Sequence, residues 1–219
     1  MRIVSFFQQL MTDPLSAVLY LLISFFAMCV AISFHEWAHA FAAYKLGDPT
    51  ARNLGRMTID PFAHIDLLGA VMFVVFGFGW AKPVIVNSRN LKHYRRDDVI
   101  ISLAGPAMNL FLGFVFCGLL VFVSTLTDEY YIRLLLNYLA VLNLNFAVFN
   151  IIPIYPLDGF HVVTSIFVRK HYGVVEFLRK YGSYILLILI LTDIIDIVVG
   201  WAVGGLYDLF TGLFIKLFF

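Results

Sequence analysis

Between Pro14 and Leu46 the chain is almost uninterruptedly apolar, yet His35, Glu36 and His39 stand inside that run, in SFHEWAHAFAAYKLGD. About 20 apolar residues suffice to cross a bilayer, so the run reads as a membrane helix. Ionisable groups within lipid are costly unless paired or bound to a metal. The helix must therefore turn these three residues toward something other than lipid. Composition extends this to the whole chain: 62% of residues are hydrophobic and 13% charged, where soluble domains run near half and a quarter. An integral membrane protein follows, lying in the lipid bilayer. A net charge of +1 gives no reason to invoke nucleic acid. No polar block is long enough to fold separately. Residues 1–219 thus read as a single membrane domain, with a motif-bearing core at about 14–165 and C-terminal helices at about 174–219. The N-terminal stretch reads as part of a retained first span, since cleavage around Ala42 and Ala43 would discard the histidines.

The spacing inside the run carries chemistry. Residues four apart nearly eclipse on a helix, so His35 and His39 present two imidazoles to one point. Glu36 sits beside that point, where a carboxylate can take a proton from a metal-bound water. The pattern reads as a zinc hydrolase site. Chance placement on a polar helix face is the competing reading, and the apolar surroundings argue against it.

Along the chain, Gly47 to Pro49 stop the first span. Residues 50–66 are polar, with short alternating pieces around Leu54 to Ile59 suggesting β-strands, and PVIV at 83–86 suggests an edge strand. Residues 67–80 are too few to cross comfortably and read as re-entrant or tilted. A span is expected from Val99 to about Leu126, broken early by AGPAMN at 104–109. Another runs from Tyr131 to Ile152, a third covers 183–200, and 204–219 forms a last. The fold class is an all-α polytopic membrane protein with about four to six transmembrane or re-entrant helices and a small membrane-associated β element. Basic residues concentrate at 81–98 and 153–182, which places both segments in the cytoplasm. If 67–80 does not cross, the histidines lie toward that side. Asp193 and Asp196 read as a pair on one face of a late span, and intramembrane carboxylates of that kind would suit a metal- or proton-coupled transporter.

A catalytic zinc usually takes three protein ligands. Asp158, in NIIPIYPLDGF at the end of a span, is the leading candidate, but spacing alone weighs it evenly against an ordinary Asp-Gly turn. His161, His64 and Glu176 are alternatives. Asn137, Asn143 and Asn145 are accounted for by helix–helix hydrogen bonds.

FHEWAHAFAAYKLGDPTARNLGRMTIDPFAHIDLLG, FGWAKPVIVN, LAGPAMN and FNIIPIYPLDG, in that order, resemble the site-2 protease family of intramembrane zinc metalloproteases. The likeness is to its small bacterial and archaeal members without a PDZ domain, and it covers most of residues 30–165. The resemblance implies one Zn2+ held by His35, His39 and Asp158, with Glu36 as general base. It implies Asn150 as a residue holding substrate backbone or oxyanion, and a transmembrane protein as substrate. It also implies a prokaryotic cell membrane, a Gly105/Asn109 motif, and a β-hairpin at 51–60 that pairs with unwound substrate. The chain departs at Phe160, where the family commonly has a second glycine; a bulky residue there is expected to alter how closely the loop approaches the histidine helix. A catalytically inactive scaffold that binds membrane segments is the remaining rival.

Overall fold

The structure is a computed structural model describing residues 10–76, 79–167 and 172–218. Arg169, Lys170 and His171 of the second basic segment lie outside these. Helix α1 spans Pro14–Lys45. Asp13 caps it by accepting the Ser16 amide at 3.2 Å, and Pro14 fills the first turn, where a missing N–H costs nothing. At 1.5 Å per residue α1 is about 48 Å long, more than the hydrocarbon core needs. Gly47, at φ +108°, reverses the chain in a conformation that favours glycine.

The β-strands expected in 51–60 are not formed. Thr50–Asn53 is instead a helical turn, α2, and Pro61–His64 another, α3. The reason is local capping. Asp48 accepts the Thr50 amide at 3.0 Å, and Asp60 accepts the Phe62 amide at 3.0 Å. The Leu54, Gly55 and Arg56 amides then bond back to Thr50 O, Arg52 O and Ala51 O, so these donors need no partner strand.

Helix α4, Leu67–Phe76, is about 15 Å long and reaches only half-way through a bilayer. Its two flanks meet: Ile65 and Ala81 form an isolated antiparallel bridge, and the Lys82 amide donates to His64 O at 2.7 Å. A Cβ on Gly69 would stand 2.1 Å from Trp80 O, so the returning chain lies directly against α4. The described limbs of 67–80 therefore enter and leave on the same side. That bridge is all the β-structure among the described residues. The PVIV piece is extended but unpaired, running from Lys82 to Asn87 before the 3-10 turn Ser88–Asn90.

Helix α5, Tyr94–Leu126, is the centre of the molecule and packs against the flanking helices α1, α6 (Tyr130–Ile151), α7 (Asp158–Phe167) and α9 (Ile194–Phe218). It starts where Asp97 accepts the His93 amide at 2.8 Å, and it continues through Gly105 and Pro106 rather than breaking there. Proline is tolerated in membrane helices where neighbours re-satisfy the freed groups. A Cβ on Gly113 would lie 2.5 Å from Leu144 Cδ2, so α5 and α6 approach closely. Cys117, Ala140, Leu144, Leu186, Val199 and Val203 fill the core on that side.

The late span expected at 183–200 is divided differently. Helix α8 covers Tyr172–Leu191 and α9 begins at Ile194. Between them Asp193 takes φ +58°, a left-handed conformation that aspartate tolerates better than most residues. The Ile197 amide then donates to Asp193 O at 3.1 Å. Asp193 sits in the turn and Asp196 in the first turn of α9, so the two do not lie within the one continuous span expected. Among the described residues α1, α5, α6 and α9 are long and apolar enough to cross a membrane, and the chain is an all-α polytopic membrane protein.

Candidate metal centre

Helix α1 brings His35, Glu36 and His39 to the interior, all three buried. On α5, Gly105 faces the two imidazoles. A Cβ there would fall 2.4 Å from His39 Nε2 and 2.7 Å from His35 Nε2, so only glycine leaves the space between the rings and α5 open. Asp158, the first residue of α7, closes the group from the third side. Its Oδ2 lies 3.1 Å from His35 Nε2 and 3.3 Å from His39 Nε2, while the two Nε2 atoms are 3.0 Å apart.

Protonation follows from what the other ring nitrogens touch. His39 Nδ1 faces the Ile101 carbonyl at 2.7 Å, and His35 Nδ1 faces Asn109 Oδ1 at 2.5 Å. Both partners are acceptors, so in neutral rings both Nδ1 atoms carry the hydrogen and both Nε2 atoms are bare. Asp158 Oδ2 is buried without a hydrogen-bond donor. Three lone-pair atoms thus converge with nothing between them, an arrangement that calls for a cation. Tetrahedral zinc with N and O ligands at 2.0–2.1 Å separates its ligands by about 3.3 Å, close to the triangle observed. His35, His39 and Asp158 are the one such group of metal-capable side chains among the described residues.

Asp158 owes its position to Gly159, where a Cβ would lie 2.0 Å from Ile151 O; α7 therefore starts in direct contact with the end of α6. Phe160 follows Asp158 by two residues on α7. It is buried against Tyr155, ring centroids 5.5 Å apart, and leaves the short Asp158 distances intact.

The sequence profile of peptidase family M50 matches residues 124–192. "Putative zinc metalloprotease YwhC" of Bacillus subtilis is 35% identical over 83% of this chain and 84% of its own. The chain belongs to peptidase family M50. The Rip2 protein of Mycobacterium tuberculosis, which carries the same description, is 31% identical over 83% of this chain and 70% of its own. One from Methanocaldococcus jannaschii is 30% identical over 67% and 71%. No solved structure matches.

Other expected residues of this M50 peptidase fall in different places. Glu36 Oε2 accepts the Val84 amide at 2.9 Å, a partner the sequence did not announce. Asn150 donates to Phe146 O on its own helix at 3.0 Å and, among the described residues, forms no hydrogen bond to the histidines or Asp158. Of the alternative ligands, His64 is buried in α3 with Nε2 on Thr58 O at 2.8 Å. His161 stacks edge-on to Phe160, and Glu176 is exposed on α8. None of these joins the group.

Sequence reading missed Asp48 as well. It is fully buried and takes hydrogen bonds from the Asn87 amide at 2.7 Å, Asn90 Nδ2 at 2.8 Å, and both the amide and hydroxyl of Thr50. Burial raises its pKa, but those hydrogen bonds outweigh it and hold the carboxyl below its ordinary value. Asp48 and Glu36 between them tie the extended segment 82–87 to α1. Helix-stop context masked the first, since Gly-Asp-Pro reads as a turn.

Proposed function

We propose that this M50 peptidase is a zinc-dependent intramembrane endopeptidase, cutting peptide bonds within or next to transmembrane segments of other membrane proteins. His35, His39 and Asp158 hold one Zn2+, which supplies a Lewis acid and a water acidified toward neutrality. The observation that carries this reading is the triangle of bare Nε2, Nε2 and Oδ2 atoms buried within a membrane helix bundle.

Glu36 takes the proton of the attacking water and returns it to the leaving amine. Its carboxylate is buried and anchored through Val84, which fixes its orientation and leaves Oε1 for the proton. Asn150 has one amide hydrogen on Phe146 O; the other is available for the oxyanion or the substrate backbone. Asp158 is the most exposed member of the group, its side chain 21% accessible, and water enters from its side. The segment 81–98, which leads into α5 at Tyr94 and bonds Glu36 through Val84, carries Lys82, Arg89, Lys92, Arg95 and Arg96. By the tendency of basic loops to stay inside, the site faces the cytoplasm.

A helical substrate hides its amides in its own hydrogen bonds, so an unwound piece needs a strand to pair with. With 51–60 folded as a turn, the extended segment 82–87 is the docking edge. Lys82 and Val84 turn their amides inward, to His64 O and Glu36. In an extended chain the alternate residues point the other way, which leaves Pro83 and Ile85 facing outward, Ile85 exposed and without a backbone hydrogen bond among the described residues. Edge pairing there lays substrate along the outer edge of the segment whose inner edge holds Glu36.

The test is cleavage of a panel of single-span reporter substrates in liposomes, comparing the wild type with Glu36→Gln and with added chelator. Cleavage inside the span that both controls abolish is the expected result. Zinc bound at one per chain with no turnover on the panel would instead support a scaffold.

A further inference from the structure

Behind His35 runs a chain of polar contacts longer than metal ligation requires. Asn143 on α6 and Asn109 on α5 are both fully buried. Asn143 Nδ2 donates to Leu139 O at 2.8 Å. Asn109 Nδ2 donates to Asn143 Oδ1 at 2.9 Å and to Ala31 O at 3.0 Å. Asn109 Oδ1 then faces His35 Nδ1.

The two ends of this chain are helix carbonyls, Leu139 O and Ala31 O, which can only accept. That fixes the polarity of everything between them. Turning Asn143 over would set its oxygen against Leu139 O, and turning Asn109 over would set its oxygen against Ala31 O and Asn143 Oδ1. With both amides so oriented, His35 meets an acceptor and must carry its hydrogen on Nδ1. Its Nε2 is then free of hydrogen and aimed at His39 and Asp158.

We propose that Asn143 is a positioning residue of the metal centre: through Asn109 it locks His35 in the tautomer that can ligate. This rests on the reading that His35 is a zinc ligand. A side chain that merely joins α5 to α6 would contribute stability without affecting metal binding. Asn145 supplies the control, since it lies on the same helix and donates to Val141 O at 2.8 Å with no link to the site.

The experiment is a zinc competition titration against a chelating dye, on the purified full chain in detergent, with thermal unfolding of the zinc-free protein alongside. Partners behind a ligating histidine typically contribute about tenfold to a hundredfold in metal affinity, and Asn143→Leu is expected to lose that much while Asn145→Leu binds as wild type does. In Asn143→Thr the hydroxyl is drawn to the carbonyl four residues back and stops short of Asn109, so zinc binding weakens there too with little packing disturbance. Wild-type zinc affinity in a folded Asn143→Leu or Asn143→Thr protein would overturn the proposal, and so would an equal loss in Asn145→Leu. His35→Ala separates the two layers. Zinc retained in that variant overturns the ligand set itself, whereas zinc lost there but unchanged in Asn143→Leu overturns only the relay.

Discussion

Glu36 Oε2 accepts the amide hydrogen of Val84 at 2.9 Å, which couples the proposed base in α1 to the extended segment 82–87. Glutamine can keep that hydrogen bond through its carbonyl oxygen but cannot take a proton from water. Glu36→Gln is therefore expected to retain its fold and its zinc while cleavage falls by about 10²–10⁴-fold, the range for loss of a general base. Metal content and reporter cleavage measured on one preparation check both halves. Loss of zinc along with activity would show Glu36 to be a ligand rather than a base.

Removing the outward amide of the docking edge should affect substrate and leave metal alone. Ile85→Pro deletes one N–H at a position exposed to 58%, and proline in an unpaired extended segment costs little structurally. KM for a single-span reporter is expected to rise severalfold with zinc content unchanged. Ile85→Val, which keeps the N–H, should behave nearly as wild type; if both variants raise KM equally, the side chain and not the backbone edge carries recognition, and if neither does, 82–87 is not the docking edge.

The histidine pair, the long spans and the leading place of Asp158 were legible because each rests on short-range periodicity or on a motif. What escaped the sequence is what the chain brings together from a distance. Asn143 looked like any helix–helix asparagine until Asn109 and Ala31 O were set beside it. Asp48 looked like a helix stop, and its link to Asn87 spans a long stretch of chain. The strands expected at 54–59 failed because alternation is a weak signal against strong caps such as Asp48 and Asp60. Gly105 was taken for a helix breaker, whereas its missing side chain makes room for two imidazoles.

That room gives a sharp prediction. In Gly105→Ala the new methyl would stand 2.4 Å from His39 Nε2 and 2.6 Å from His35 Cε1, far inside contact distance, on the side where a metal must sit. Alanine is also the better helix former, by about 1 kcal/mol. The variant is expected to lose zinc and activity. The buried rings must shift to admit the methyl, which offsets the gain in helix propensity, so the zinc-free protein is expected to stay folded with a melting temperature near or below that of wild type. A wild-type zinc titration in Gly105→Ala would remove the metal from this position.

Asp48 predicts how stability changes in acid. Its carboxyl has a lower pKa folded than unfolded, so its contribution is fully present above the unfolded value, about 3.9. It is lost as pH falls through the folded value. Asp48→Asn keeps part of the hydrogen bonding but not the charge, and is expected to cost about 1–3 kcal/mol near neutrality. The gap between the two melting temperatures should narrow below about pH 4. A constant gap across that window would mean that the charge plays no part.

Helix α8 bears on Asp158 through one glycine. A Cβ on Gly182 would lie 2.9 Å from both Cβ and O of Tyr155 and 3.0 Å from its N, and Tyr155 stands three residues before Asp158 in the tight connection between α6 and α7. Backbone cannot yield as a side-chain tip does, so Gly182→Val must push either α8 outward or the connection toward the site. The histidine pair belongs to α1 and is not touched. Zinc affinity is expected to fall by at least tenfold, toward that of Asp158→Ala, a loss equivalent to about 1.4 kcal/mol or more. Gly173→Ala on the same helix meets nothing within 4 Å and should leave zinc binding unchanged. If Gly182→Val lowers the melting temperature yet binds zinc as tightly as wild type, α8 moves aside freely and the third ligand is held by Gly159 and Ile151 alone.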